Sequence, residues 1–332
     1  MIDTIYIEQE VDDHPRTREI CGRFPQARKI SCRHYGEIFN RKKQNFRLQK
    51  TRPALILARK FKNFVLDAPA GYGIGGEHNL YFSHMLNCIY DCRYCFLQGM
   101  YRSAHYVVFV NYEDFTNAII GKLKECRNSS SYFFSGYDCD SLALEPVTGF
   151  ADHYLPIFRQ HPDAFIELRT KSTQVRSLLK TDPFPNCVVA FSFTPEEISV
   201  ALEHGAPSVD KRLAAMVKLQ QHGWKLGLRF DPLIYQDNYE ELYDKLFTTV
   251  FSKIAVDGLH SVSLGTLRFP DSYFRNIIRL YPDERLFSGP FEKNGGMMTY
   301  HSRMERSMRE YCENKLSHHI PSRILYPCAH AA

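Results

Sequence analysis

NCIYDCRYCFLQG, residues 87–99, decides how the rest of the chain is read. Cys88, Cys92 and Cys95 stand four and then three residues apart, so a loop capped by a turn of helix can aim three thiolates at one place. Three thiolates suit three irons of a cubane iron–sulfur cluster and leave the fourth iron open as a reaction site. Spacing alone keeps two other readings open. A structural zinc site wants four ligands, usually in paired C-x2-C motifs, and no second pair follows at a suitable distance. The other alternative is three unrelated core thiols.

Working outward, the triad directly follows an apolar run, LYFSHML (80–86). Similar runs recur along the chain, separated by segments of helical periodicity, which is the signature of βα units around a parallel sheet. Strands are predicted at DTIYIE (3–8), RKISC (28–32), ALILA (54–58) and NFVLD (63–67). After these come LYFSHML, HYVVFV (105–110), SYFFSG (131–136), FIELRT (165–170), VVAFSF (188–193), KLGLRF (225–230) and HSVSLG (260–265). Helices are predicted over 112–126, 150–160, 195–203, 209–221, 239–251 and 271–281. Seven strands after residue 78 predict an α/β chain with a partial or full TIM-type (β/α) barrel, and a doubly wound open sheet is the runner-up. In a barrel the cysteines would lie at the C-terminal mouth of the first strand, where barrel enzymes build their active sites. Residues 1–76 read as a small N-terminal α/β segment and 77–332 as the barrel with a C-terminal extension. The Gly-rich join, AGYGIGGEH (70–78), lacks the Lys-Ser/Thr of a P-loop and precedes a strand, so it reads as a linker or turn.

Composition narrows the class. Hydrophobic content of 44% with 24% charged residues is an ordinary globular balance, which excludes disordered, collagen-like and coiled-coil readings. Ten unevenly spaced cysteines favour reduced thiols with a local role over a disulfide scaffold. The acid-rich start MIDTIYIEQEVDDHP does not resemble a signal peptide, and no apolar run approaches the roughly 18 residues of a membrane span, so a cytoplasmic setting is expected. A net charge of +5 is too small to identify a nucleic-acid binder. Locally, however, Arg41, Lys42, Lys43, Arg47, Lys50, Arg52, Arg59, Lys60 and Lys62 occur with no intervening acid and with Phe46 and Phe61 interleaved. Such a run either follows a phosphate backbone or is a solvated face.

With a strand in front of it, C-x3-C-x2-C resembles the motif of the radical S-adenosylmethionine enzymes, and the pattern from Cys88 to Gln98 is similar to that of the spore photoproduct lyase family. The resemblance extends over nearly the whole chain: IDTIYIEQ, ALILARKFK, FFSGYDCDSLALEPVTG, FIELRTKST, VVAFSFTPE, EHGAPSVDKRLAAMVKLQQHGW, LRFDPLIY and RILYP follow in family order. It implies a partial (β/α)6 barrel and a 4Fe–4S cluster on Cys88, Cys92 and Cys95 whose fourth iron is chelated by S-adenosylmethionine. It further implies reductive cleavage of that cofactor to a 5′-deoxyadenosyl radical and carbon–carbon lyase activity on a thymine dimer in DNA. A primary carbon radical can take an unactivated C–H hydrogen, which no side-chain acid or base can do. The lesion must leave the base stack to reach it, and an electron donor such as a flavodoxin or ferredoxin is implied.

By the same resemblance Tyr94 relays hydrogen atoms, and Phe96 stands where characterised lyases have a second tyrosine. Lys171, Ser192 and Asp231, at predicted strand ends, are implied contacts of S-adenosylmethionine. The family's hydrogen-donating cysteine is replaced by Tyr137, and Cys139 stands where the family has a serine that contacts S-adenosylmethionine. If the strand runs on through Tyr137, its period of two keeps Tyr137 and Cys139 on one face about 6.5 Å apart, and Cys139 becomes a shifted hydrogen donor. Tyr137 and Phe96 also prompt a second hypothesis, a radical enzyme of this family with a different substrate. A zinc-stabilised nucleic-acid-binding protein without turnover is the third. The other six cysteines read as plain thiols and Trp224 as packing.

Overall fold

FIELRT shows how the chain builds its scaffold: Ile166 and Leu168 are buried among apolar side chains outside the sheet, while Phe165, Glu167 and Arg169 face inward at the alternate positions. The structure, a computed structural model, describes residues 2–69, 71–126 and 129–328; Ala70, at the head of the Gly-rich segment, lies outside them. The barrel strands are β1 (His78–Phe82), β2 (Ser131–Ser135), β3 (Ala164–Thr170), β4 (Cys187–Ser192), β5 (Lys225–Leu233) and β6 (Leu259–Thr266). RILYP ends in a seventh, β7 (Leu325–Pro327). All seven are parallel and adjacent in chain order, with Leu66–Asp67 antiparallel on the edge of β1. Successive right-handed βα units produce that order around a curling sheet, whereas a doubly wound sheet reverses at a switch point, so the runner-up is excluded.

The six expected helices form within one residue at either end. Tyr239–Phe251 shows why: Leu242, Tyr243, Leu246, Phe247 and Val250 line one stripe and are buried. Each such side chain contributes roughly 1.5–3 kcal/mol by leaving water. No helix among the described residues is long and apolar enough to cross a membrane.

Three strand expectations need correction. NFVLD, placed in the N-terminal segment, is a strand only at Leu66–Asp67 and pairs with β1 in the barrel sheet. HYVVFV does not join the barrel. Its strand, Tyr106–Phe109, pairs with Leu55–Ala58 in a separate sheet ordered Arg28–Cys32, Thr4–Glu8, Leu55–Ala58, Tyr106–Phe109, Met85–Leu86. LYFSHML is two strands: β1 ends at Phe82, and Met85–Leu86 crosses over to pair antiparallel with Tyr106–Phe109. A strand buried on both faces carries no alternation, so nothing local says which sheet it joins. The N-terminal sheet therefore draws on residues beyond the 76/77 division. The Gly-rich segment likewise does more than link. Ile74 is buried against Tyr132 and Phe134, and Gly76, at φ +75°, lies where a Cβ would come within 2.5 Å of the Tyr132 ring.

Beside its aromatic cluster the barrel interior holds buried charges. Arg229 donates to Glu167 through Nε (3.2 Å) and Nη2 (2.7 Å), and Arg169 donates from its Nε at 2.9 Å. Burial works against the Glu167 carboxylate, but the guanidinium groups of Arg229 and Arg169 outweigh it and hold its pKa at about 2. Gly227 leaves room for Arg229, since a Cβ there would meet that side chain at 2.8 Å.

Candidate active site

The cysteine loop is tied down from several sides. Asn87, at φ +70°, donates through Nδ2 to Ser103 O (2.6 Å) and His105 O (2.9 Å). Asn tolerates this left-handed conformation better than other non-glycine residues. Asp91–Cys92 pairs antiparallel with Glu203–His204, and Lys50 Nζ donates to the carbonyls of Cys88 and Tyr90 at 3.1 Å each. Gly99, in the short helix Leu97–Met100, lets that helix touch Asp271–Leu280, for a Cβ there would collide with Tyr273 O.

Cys88, Cys92 and Cys95 all line one cavity of about 570 Å³ at the C-terminal ends of the barrel strands. Burial pushes all three thiols up, Cys88 to about 12. As thiolates in so dry a place they need cations beside them, which a metal centre provides. Three thiols that share one cavity fit a cluster, in which each iron takes its own thiolate.

The cysteine loop and the strand ends bring the implied catalytic and cofactor residues to the same cavity: Tyr94, Phe96, Tyr137, Cys139, Lys171, Ser192 and Asp231 all line it. The period of two along β3 makes this possible, because the inward positions lead from Phe165 through Glu167 and Arg169 to Lys171 at the mouth. Asp140 fastens that corner: it accepts from Lys171 N and from Thr170 Oγ1, each at 2.6 Å, and from the N–H groups of Leu142 and Ala143. Lys171 Nζ lies 3.9 Å from Glu203 and 5.5 Å from the Tyr94 ring centre. The Tyr94 hydroxyl donates to Glu203, and burial together with that carboxylate pushes the phenol well up, so it stays protonated. Asp231 lies 3.6 Å from Arg268.

One expectation about geometry does not hold. β2 ends at Ser135, and Gly136 at φ +80° turns the chain, so Tyr137 and Cys139 do not share a strand face. A Cβ on Gly136 would meet Ser141 Oγ at 2.5 Å, so the close turn requires glycine. Tyr137 joins an aromatic wall with Tyr81 (4.5 Å between ring centres), Phe96 (5.7 Å) and Tyr72 (5.8 Å). Cys139 is buried, is hydrogen-bonded to the Met85 backbone and lines the same cavity as Cys88.

Sequence reading missed several contributors. Glu203 receives Tyr94 and is paired with Arg212, whose Nη2 donates at 2.5 Å; both side chains are fully buried. Burial opposes the Glu203 carboxylate, but Lys171 and Arg212 more than compensate and keep its pKa below the ordinary value. Cys328, read as a plain thiol, donates to Asp231 at 3.4 Å, and the Arg169 guanidinium sits 4.7 Å over the Tyr72 ring. Only the charged residues inside apolar strands, Glu167, Arg169 and Arg229, carried a local signal.

A seven-stranded parallel half-barrel with a cysteine triad and converging strand ends over one cavity defines an enzyme that gathers a metal cluster and a small-molecule cofactor at the barrel mouth. A family model described as spore photoproduct lyase matches residues 2–326, so the chain belongs to the spore photoproduct lyase family. The spore photoproduct lyase of Bacillus subtilis (strain 168) is 24% identical over 335 residues, covering 96% of this chain and 95% of the relative. That of Geobacillus sp. (strain Y412MC61) is 23% identical over 245 residues, 71% of this chain and 72% of the relative. Among solved structures, a spore photoproduct lyase double mutant with bound AdoMet and dinucleoside spore photoproduct superposes with a TM-score of 0.86 at 18% identity, covering 100% of this chain and 99% of that one.

Proposed function

We propose that the chain is a radical S-adenosylmethionine lyase that repairs a thymine-dimer type lesion in DNA, with Cys88, Cys92 and Cys95 holding three irons of a 4Fe–4S cluster. The observation that carries this reading is the single cavity shared by the three cysteines and the ends of the barrel strands. Family membership and the AdoMet and dinucleoside spore photoproduct bound by a solved relative support it. When bound, cluster and S-adenosylmethionine supply a carbon radical able to take a hydrogen atom from an unactivated C–H bond.

The chain's own residues bind and orient. Lys171, its backbone fixed by Asp140, presents an ammonium to the cofactor carboxylate, and Ser192 adds a hydroxyl from the end of β4. Asp231, steadied by Arg268, offers an acceptor to the adenosyl group. Tyr94, held by Glu203, is the hydrogen relay. Cys139 belongs to the cofactor side. Tyr137, with Tyr72 and Phe96, forms the wall against which an extruded base stacks, and its phenol is the hydrogen source facing the substrate.

Anaerobically reconstituted protein, given S-adenosylmethionine, dithionite and irradiated oligonucleotide, should cleave the cofactor and remove the lesion together. Cofactor cleavage with every pyrimidine lesion left intact favours the different-substrate reading. A colourless protein that binds zinc and cleaves nothing ends the radical reading altogether.

A further inference from the structure

The basic run divides in the fold. Arg52 pairs with Asp3 at 2.5 Å, Arg59 with Asp114 at 3.4 Å, and Lys60 lies over the Phe109 and Phe115 rings. The earlier part behaves differently. Arg41 donates to Glu37 O at 3.2 Å and Arg47 lies 5.9 Å over the Tyr281 ring, but neither they nor Lys42, Lys43, Lys50 and Arg102 form an ion pair among the described residues; the Arg102 backbone N–H is held by Asn40. In the same segment Leu48, on the helix Phe46–Thr51, has 67% of its surface exposed.

This helix rides on the cluster loop. Lys50 is bonded to the carbonyls of Cys88 and Tyr90, so the exposed face is one side chain away from the backbone of a cluster cysteine. Among the described residues none from 38 to 62 lines the reaction cavity. The basic segment thus reaches the cysteine loop through Lys50, while the cavity is lined by other residues.

We propose that the face around Leu48, carrying Arg41, Lys42, Lys43, Arg47 and Arg102, docks an acidic one-electron carrier protein that reduces the cluster. The inference rests on the function proposed above, which consumes an electron the chain cannot generate. In the step, the reduced carrier is oxidised by one electron and the cluster is reduced by one; no bond forms or breaks at the interface. Cations without an acidic partner attract an acidic protein and speed its encounter, and the exposed Leu48 beside Arg47 in the chain gives the contact apolar surface. None of these basic residues lines the cavity that receives the lesion, and an exposed apolar side chain beside them suits a protein partner better than a phosphate backbone.

The test uses anaerobically reconstituted holoenzyme, the triple variant Arg41→Glu/Lys42→Glu/Lys43→Glu and, separately, Leu48→Asp. Affinity for oxidised flavodoxin is measured by calorimetry at low and high salt, affinity for irradiated oligonucleotide by anisotropy, and S-adenosylmethionine cleavage with either reduced flavodoxin or dithionite. The triple variant should bind flavodoxin at least about tenfold more weakly, with a flatter salt dependence, and lose flavodoxin-driven cleavage in proportion. Dithionite-driven cleavage and cluster absorbance should stay at the unmodified level, which also shows that both variants fold. Unchanged flavodoxin affinity in both variants, with or without loss of DNA binding, overturns the proposal. Failure of the unmodified enzyme to cleave the cofactor with dithionite strikes the proposed function instead, so the two failures are distinguishable.

Discussion

Replacing Glu203 by Ala removes the carboxylate that accepts from Tyr94 Oη, Arg212 Nη2 (2.5 Å), Ser199 Oγ (2.7 Å) and Thr194 Oγ1 (3.2 Å). Arg212 would then stay fully buried with only Ser192 O (2.8 Å) and Ser199 Oγ (2.7 Å) as partners. Breaking a buried pair from one side costs about 3–5 kcal/mol, and a stranded hydroxyl adds about 1–3 kcal/mol that is not additive within one network. We expect a loss of about 4–5 kcal/mol, a large part of the roughly 5–15 kcal/mol that holds a typical protein together. Urea unfolding of the apoprotein, followed by far-ultraviolet circular dichroism, measures it. Glu203→Gln keeps an acceptor for Tyr94 and should lose about half as much. Glu203→Ala/Arg212→Met removes the stranded charge and should recover at least half of the single variant's loss, because the cost lies in the unpaired guanidinium. Iron bound on reconstitution should follow the same order, since Glu203–His204 pairs with Asp91–Cys92 and anchors the loop. A loss under about 1 kcal/mol for Glu203→Ala, or a double variant no more stable than the single, would refute the reasoning.

Each of Cys88→Ala, Cys92→Ala and Cys95→Ala should lose the cluster's visible absorption and its activity together; full iron content in any one of them removes that residue from the ligand set. Tyr137→Phe should still cleave S-adenosylmethionine but divert substrate to by-products, while Cys139→Ala should weaken cofactor binding and leave the product pattern alone. Product analysis that finds the reverse would return the hydrogen-donor role to Cys139. Burial raises Glu145 from an ordinary 4.5 to about 7, above its unfolded value, so the folded protein holds the extra proton between those two values. Its contribution is therefore present below about pH 4.5 and lost as pH rises through 7, by on the order of a few kcal/mol. Melts from pH 5 to 8 should show Glu145→Gln flattening this fall, and parallel curves for both proteins would show that Glu145 does not titrate there.

Short-range patterns carried the elements and the chemistry. The six helices and the inward positions of FIELRT follow from periods of 3.6 and 2, which any local stretch displays regardless of its surroundings. The cysteine triad was legible for the same reason, its three thiols lying within eight consecutive residues. Where the strands go was another matter: the buried run Tyr106–Phe109 suits the centre of either sheet, and only tertiary packing put it beside Leu55–Ala58. The end of β2 at Ser135, which separates Tyr137 from Cys139, depends on Gly136 turning against Ser141. Contacts that span long stretches of chain were invisible to any window. Lys50 reaches the Cys88 carbonyl across 38 residues, and Tyr94 meets Glu203 across 109. Buried charges such as Glu203 and Arg212 look like solvated helix residues until the fold removes their water, because desolvation is a property of the assembled core and not of the residue.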